Sequence, residues 1–283
     1  MKLKVGMIQL LVEGGEPERN MERALKYIAI VAKENIDIAL LPETLDLAWT
    51  HPSVFNEAES IPGKRSELLS AAAKKHGIHI CAGLTEKDDD KIYNTAIFIN
   101  DNGEIILKHR KINLLWNVEY PQFYSVGQTL NVIDTKWGKI GVNICADNYM
   151  DGLHIGHALA RMGAQVILSP SSWTVDYSIV EGMDPYKDKW IKPYKILASY
   201  YDLVVLGSTS VGYIVGGPYE GKKMIGCSLA VDKSGVIAQG EFNEFASAVK
   251  VVEFAVPERK EMGTAIGTML QKRGFKFDEL LNK

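Results

Sequence analysis

The chain has 283 residues, 46% of them hydrophobic and 24% charged, with a net charge of −3. That length accommodates one large α/β domain or two small ones, and without a basic surplus or a charged block nothing points to nucleic acid. Three cysteines do not make a disulfide framework, no run of about eighteen apolar residues offers a membrane span, and the opening MKLKVGMIQL is too short and interrupted for a signal peptide, so a soluble protein of the reducing cytoplasm is expected.

Residues 3–10 alternate as a first strand. Pro17 opens a helix whose Met21, Ala24, Leu25, Ile28, Val31 and Ala32 make one apolar face. Residues 36–41 read as a short buried strand stopped by Pro42, with Glu43 just past its end. A helix is expected over 64–76, closed by Gly77. The next strand, 78–84, holds Cys81 in an apolar run, and 93–100 and 104–108 pair across Asp101-Asn102-Gly103, a hairpin signal. His109-Arg110-Lys111-Ile112-Asn113-Leu114 follows, then an aromatic loop to Gly127.

The chain is organised around residues 139–148, in which a small and apolar run leads into Cys145. They read as a buried strand ending at Cys145, a turn, and a helix from about 151 to 162. A cysteine at the carboxyl end of a strand is where α/β enzymes place a nucleophile; a packed core cysteine is the alternative. Beyond it come a strand at 165–168, ending Ser169-Pro170-Ser171-Ser172-Trp173, and a helix from Asp184-Pro185 bearing Trp190, Tyr194, Leu197 and Tyr201, which Pro193 should kink. Strands are expected at 203–208 and 245–252, and a hairpin at 227–239.

The two halves repeat one order: ALLPE, HICAGLTE and IFINDNGEI in the first, VILSPSS, LVVLGSTS and LAVDKSGVI in the second. Two βαβ-plus-hairpin halves packed sheet to sheet predict a four-layer α-β-β-α sandwich. No linker divides residues 1–256, so they are expected to form one domain, with 257–283 as a tail. Glu43, Lys111 and Cys145 all stand where apolar strands run out, and carboxylate, ammonium and thiol together suit acyl transfer.

These motifs resemble the nitrilase superfamily of carbon–nitrogen hydrolases. Its L-P-E is matched by Leu41-Pro42-Glu43, its R-K-x-x-L by Arg110 to Leu114, and its G-x-x-I-C-x-D by Gly141 to Asp147. A second glutamate of many members is matched by Glu119, and the resemblance covers about residues 3–252. It implies that Cys145 attacks a small amide, that Glu43 shuttles the proton, that Lys111 and the Ala146 N–H hold the oxyanion, and that Glu119 positions substrate or water. Asn148 and Trp173 are further candidates for substrate contact. No metal or organic cofactor is required. Asn113 stands where many members have His, and Ala146 where many have an aromatic residue. Nitrile-hydrolysing members usually carry Trp-Glu after the cysteine; Ala146-Asp147 resembles the amide-cleaving branches.

Other readings are an N-carbamoyl amino acid hydrolase or nitrilase on the same triad, an inactive binding protein, and a Cys–His hydrolase using His109 or His154. His154 and His157, three apart on a helix, lack a third ligand for a metal. An activated Cys145 thiolate should react with iodoacetamide well below the pKa of a free thiol, about 8.5. The family pairs across the helical face near the nucleophile, so a homodimer or larger homo-oligomer is expected. Trp190, Tyr194 and Tyr201 would lie on that face, and the tail, with Met262, Ile266, Met269 and Leu270, would cross to the partner.

Overall fold

Alternation along three short strands decides the layering. A computed structural model describes residues 1–258 and 266–274. In β1 (Lys2–Gln9), β2 (Ile38–Leu40) and β3 (His79–Asp88), the residues Leu3, Val5, Met7, Ile38, Leu40 and Cys81 share one core with the second half of the chain. Their neighbours Ile8, Ala39, Ile80, Ala82 and Leu84 pack outward with α1 (Pro17–Ala32) and α3 (Lys64–His76). A period of two thus gives each strand two buried faces. Between β2 and α3 lies the short α2 (Val54–Glu57). Pro17 starts α1 as expected, and Gly77 closes α3 at φ 63, a left-handed position that suits glycine.

Antiparallel β4 (Lys91–Ile99) and β5 (Ile105–Arg110) follow β3, so the sheet runs β15-β1-β2-β3-β4-β5 once β15 (Ala248–Ala255) returns beside β1. The second sheet is built from β6 (Val132–Thr135), β7 (Gly138–Val142), β8 (Val166–Ser171), β10 (Val204–Thr209), β13 (Leu229–Asp232) and β14 (Gly235–Gln239). Its order β6-β7-β8-β10-β13-β14 repeats the first: one antiparallel edge, three parallel strands, then a hairpin. The internal repeat is therefore a repeat of topology. Helices α4 (His154–Arg161) and α5 (Lys192–Tyr201) cover its outer face, completing the four-layer sandwich. Close packing there needs Gly156, where a Cβ would meet Leu197 Cδ1 at 2.4 Å. The small strands β9 (Thr174–Val175), β11 (Val211–Tyr213) and β12 (Lys223–Ile225) form a flap at one end.

Four boundaries differ from expectation. β7 stops at Val142, and Cys145 begins a 3-10 turn, Cys145–Asn148, at φ 43. The paired amides of Asn143 and Asn148 draw the chain out of the ladder. Helix α4 starts only at His154. A five-residue π turn, Lys187–Ile191, runs directly into α5, so Pro193 falls in the first α-helical turn, where its missing N–H is tolerated. Phe245 lies outside β15, in a loop held by the Asn243 side chain. In the tail, α6 (Ile266–Lys272) has no buried residue, and Met262 lies outside the described residues.

Candidate active site

Glu43 leaves β2 into a turn pressed against β3. A side chain at Gly83 would meet Glu43 Cα at 2.5 Å, so glycine is what lets the two backbones approach. Gly83 N–H bonds to the Pro42 carbonyl and Leu45 N–H to the Gly83 carbonyl, each at 2.9 Å. Glu43 N–H reaches the Ser171 carbonyl at 3.2 Å, and Ser172 Oγ donates back to the Glu43 carbonyl at 3.2 Å. The ends of β2 and β8, one from each sheet, are thereby joined.

Lys111 follows β5 directly, its N–H on the Asn94 carbonyl at 2.9 Å. Its ammonium donates to Glu43 Oε1 at 2.7 Å and to Glu119 Oε1 and Oε2 at 2.8 and 2.9 Å. All three side chains are fully buried. Asn94 Nδ2 donates to Glu43 Oε1 at 2.6 Å, and Trp49 Nε1 and the Leu115 N–H donate to Glu119 at 2.8 Å each. One ammonium thus serves two carboxylates. Burial alone would discharge Lys111, but Glu119 and Glu43 hold it charged, well above its ordinary value. Burial, with repulsion from Glu119, raises the Glu43 carboxyl despite the Lys111 charge. Glu43 Oε2 is buried and has no hydrogen-bond partner.

The 3-10 turn presents Cys145 with its backbone in the strained left-handed region. Asp147 ties this turn to the Lys111 segment. Its Oδ2 accepts from the Ile144 N–H at 3.0 Å and from His109 Nε2 at 2.8 Å; its Oδ1 accepts from the Ile112 and Asn113 N–H groups at 3.2 and 2.8 Å. Burial works against the Asp147 carboxylate, but the His109 bond and these N–H groups outweigh it and hold it below its ordinary value. Burial and the Glu43 charge push the Cys145 thiol well above its ordinary value, against the pull of Lys111. A thiol held in this way needs a base before it can attack, the part the sequence motifs give to Glu43. The charges acting on it are Glu43, Lys111 and Glu119; no imidazole is among them. His109 is engaged with Asp147 and His154 is exposed, which leaves the Cys–His reading without support.

Cys145 and Ala146 line a cavity of about 90 Å³ walled by Trp49, Leu115, Tyr149, Trp190 and Tyr219, with Ser172, Thr174 and Lys189 completing it. Trp173 is not in this wall. It stacks behind it on Trp190, centroids 4.9 Å apart, and packs edge-on against Tyr186 and Tyr194. Asn148 is likewise structural, bonded to Asn143 and Ser169 Oγ. The Asn113 side chain holds the Gly152 carbonyl at 3.1 Å. The aromatic surplus assigned to an outer face is used inward: Trp190 and Tyr194 are buried and Tyr201 pairs with His157, while Tyr200 is exposed. Cys81 and Cys227 are buried and away from the cavity wall. Among the described residues no group of three or more His, Cys, Asp and Glu side chains could hold a metal, and no helix is long and apolar enough to cross a membrane. Sequence reasoning missed Asn94, Trp49 and Tyr219. Only Asn94, a polar residue inside an apolar strand, carried a local signal.

Residues 4–261 match the model of the carbon–nitrogen hydrolase family. The chain belongs to this family. It is 32% identical over 183 residues to an omega-amidase of Xenopus laevis, 62% of this chain and 65% of that protein. It is 33% identical over 181 residues to a nitrilase of Pyrococcus abyssi, 62% of this chain and 67% of that protein. The matched stretch thus spans about two thirds or slightly less of these relatives' length. A crystal structure from Saccharomyces cerevisiae, described as branch 10 of the nitrilase superfamily, superposes with a TM-score of 0.75 at 26% identity, over 97% of this chain and 95% of that one. A double mutant of an amidase from Nesterenkonia sp. AN1, in complex with acrylamide, has the same fold: TM-score 0.74, 16% identity, 89% and 90% covered. Within this family fold, the Glu43–Lys111–Glu119 cluster lies at the strand ends beside Cys145.

Proposed function

We propose that the chain hydrolyses a carbon–nitrogen bond of a small linear amide through a thioester on Cys145. The observation that carries this reading is the free, buried Glu43 Oε2 on a carboxylate whose other oxygen is fixed by Lys111 and Asn94. In the proposed course, Oε2 takes the thiol proton and Sγ attacks the amide carbon. Lys111 and the Ala146 N–H receive the oxyanion, and Glu43 returns the proton to the leaving nitrogen. Water, deprotonated by Glu43, then cleaves the thioester to the acid and free thiol. Losing one oxyanion donor costs about 2.7–4 kcal/mol of barrier. The raised Glu43 value supports its double role, since a weaker acid is a stronger base. Glu119 keeps Lys111 in place and orders the loop that carries Leu115.

Hydroxylamine tests the intermediate. Acyl transfer from a Cys145 thioester should give a hydroxamate at the expense of acid, and acid quenching should trap an acyl mass on Cys145. A substrate turned over with neither hydroxamate nor acyl-cysteine would overturn the reading. The assembly we propose is a homodimer through the α4–α5 face, where Tyr200 remains 75% exposed. The setting we propose is reducing and cytoplasmic, in keeping with three free cysteines.

A further inference from the structure

Tyr219 differs from the other aromatic walls of the cavity in how it is held. It lies on the tip that joins β11 to β12, closed by the Ile214 N–H donating to the Lys222 carbonyl at 2.9 Å. The tip carries no buried apolar anchor of its own. Val215 is 61% exposed, Pro218 and Glu220 are exposed, and Gly216 and Gly217, at φ 73 and 75, have no side chain. The tip is seated instead on the turn that leaves Glu43. A Cβ at Gly217 would meet the Thr50 carbonyl at 2.4 Å, and one at Gly216 would meet His51 Cδ2 at 3.0 Å. The same imidazole also meets Gly14 and Gly15, where a Cβ would approach Cδ2 and Cε1 at 2.6 and 2.9 Å. One ring thus fills the space between two glycine pairs about 200 positions apart, and neither pair leaves room for a Cβ. Ser53 fixes the ring: its N–H donates to Nδ1 at 3.2 Å, and its Oγ lies 2.9 Å from the same atom. Tyr219 then rests edge-on against Trp49, centroids 5.3 Å apart, with the Lys222 ammonium over its ring at 5.2 Å.

We propose that His51 is a positioning residue: its ring seats the 214–222 tip, and the tip holds Tyr219 against the catalytic cavity. His51 is not among the residues that line the cavity, so it acts through Tyr219. The assignment rests on the amide-hydrolase reading. The contact is one of packing. A side chain smaller than the imidazole leaves a gap between the two glycine pairs, and a tip without buried side chains cannot close it. Tyr219 then withdraws from the cavity wall. The charged cluster stays as it is, because Trp49 still donates to Glu119 at 2.8 Å and Lys111 keeps both carboxylates. The signature is weaker substrate binding and a more open nucleophile, with the acidity of the thiol unchanged.

His51→Asn in the full chain tests this, since it removes the ring yet keeps an oxygen that can accept from the Ser53 N–H. KM for butyramide should rise about tenfold while kcat changes much less. Iodoacetamide should label Cys145 faster at every pH, with the midpoint of the rate-versus-pH curve unmoved, because Glu43, Lys111 and Glu119 still set the charge around the thiol. Tyr219→Ala should give the same two changes, and adding His51→Asn to it should alter neither by more than about twofold. Gly217→Ala lifts the tip from its own side and should reproduce both changes with His51 intact, a route that does not depend on folding of the His51 variant. Additive effects of His51→Asn and Tyr219→Ala, a fall in kcat with KM unchanged, or wild-type labelling in folded His51→Asn or Gly217→Ala would overturn the assignment. Butyramide hydrolysed by His51→Asn with an unaltered KM overturns the role of His51 alone. Labelling that responds as expected in a protein that hydrolyses no amide overturns the hydrolase reading and leaves His51 as the seat of Tyr219.

Discussion

Replacing Glu119 by Gln should separate catalysis from reactivity of the thiol. The carboxylate is surrounded by donors only: Lys111 on both oxygens at 2.8 and 2.9 Å, Trp49 Nε1 and Asn94 Nδ2 on Oε1 at 2.8 and 3.3 Å, and the Leu115 N–H on Oε2 at 2.8 Å. A glutamine must turn its amide NH₂ toward one of these sets, donor against donor. It also removes one of the two charges that balance buried Lys111. Breaking a buried pair costs about 3–5 kcal/mol, and because Glu43 still holds Lys111 the loss of stability should lie near the lower end. With Lys111 displaced from the oxyanion, kcat should fall about 10²–10³-fold. The thiol responds the other way. Glu119 raises both Cys145 and Glu43, so removing its charge makes the Cys145 proton easier to lose. Iodoacetamide should therefore label Cys145 at least as fast as in the wild type, with the rate-versus-pH curve moved toward acid. The assay pairs ammonia release with labelling across pH, and thermal unfolding confirms the fold. Wild-type turnover, or turnover and labelling lost together in folded protein, would refute the argument.

Cys145→Ala should abolish turnover with the fold intact, while Cys81→Ala and Cys227→Ala retain it; full activity without Cys145 would end the mechanism. Because burial raises Glu43, the acid limb of kcat/KM should lie above the ordinary carboxylate value of 4.5, and a limb at or below it would contradict Glu43 as the base. Asp147 is held below its ordinary 3.8, so its contribution to stability is present above that value and is lost as pH falls through the lower folded one. Asp147→Asn should cost roughly 1.5–3 kcal/mol at neutral pH and flatten the acid-side fall in denaturation midpoint; an unchanged slope would move that linkage elsewhere. Light scattering should give twice the chain mass, and deletion after Val256 should weaken the association; an active monomer would overturn the proposed dimer.

The features legible in one dimension are local or periodic. Alternation marked the strands, helical spacing marked the inner face of α1, Gly77 marked a helix end, and Asp101-Asn102-Gly103 marked a hairpin, because each signal is read within one turn or one pleat. Glu43, Lys111 and Cys145 were legible for a related reason: a reactive residue where an apolar run stops is visible in one dimension, and their motifs stand in order. The remaining features depend on residues far apart in the chain. The amide of Asn94 meets carboxylates 51 and 25 positions away, and Asp147 staples segments 34 to 38 positions apart. Helical spacing showed that Trp190 and Tyr194 share a face, but only the folded chain, with Trp173 in the loop after β8 packed against both, turned that face inward. The charge states, though assigned from the motifs, have their physical cause only in the folded protein. Cys145 as a thiol, Lys111 as an ammonium and Glu43 as a strengthened base follow from burial and from one cation shared by two acids, and neither exists until the strand ends of both sheets have come together.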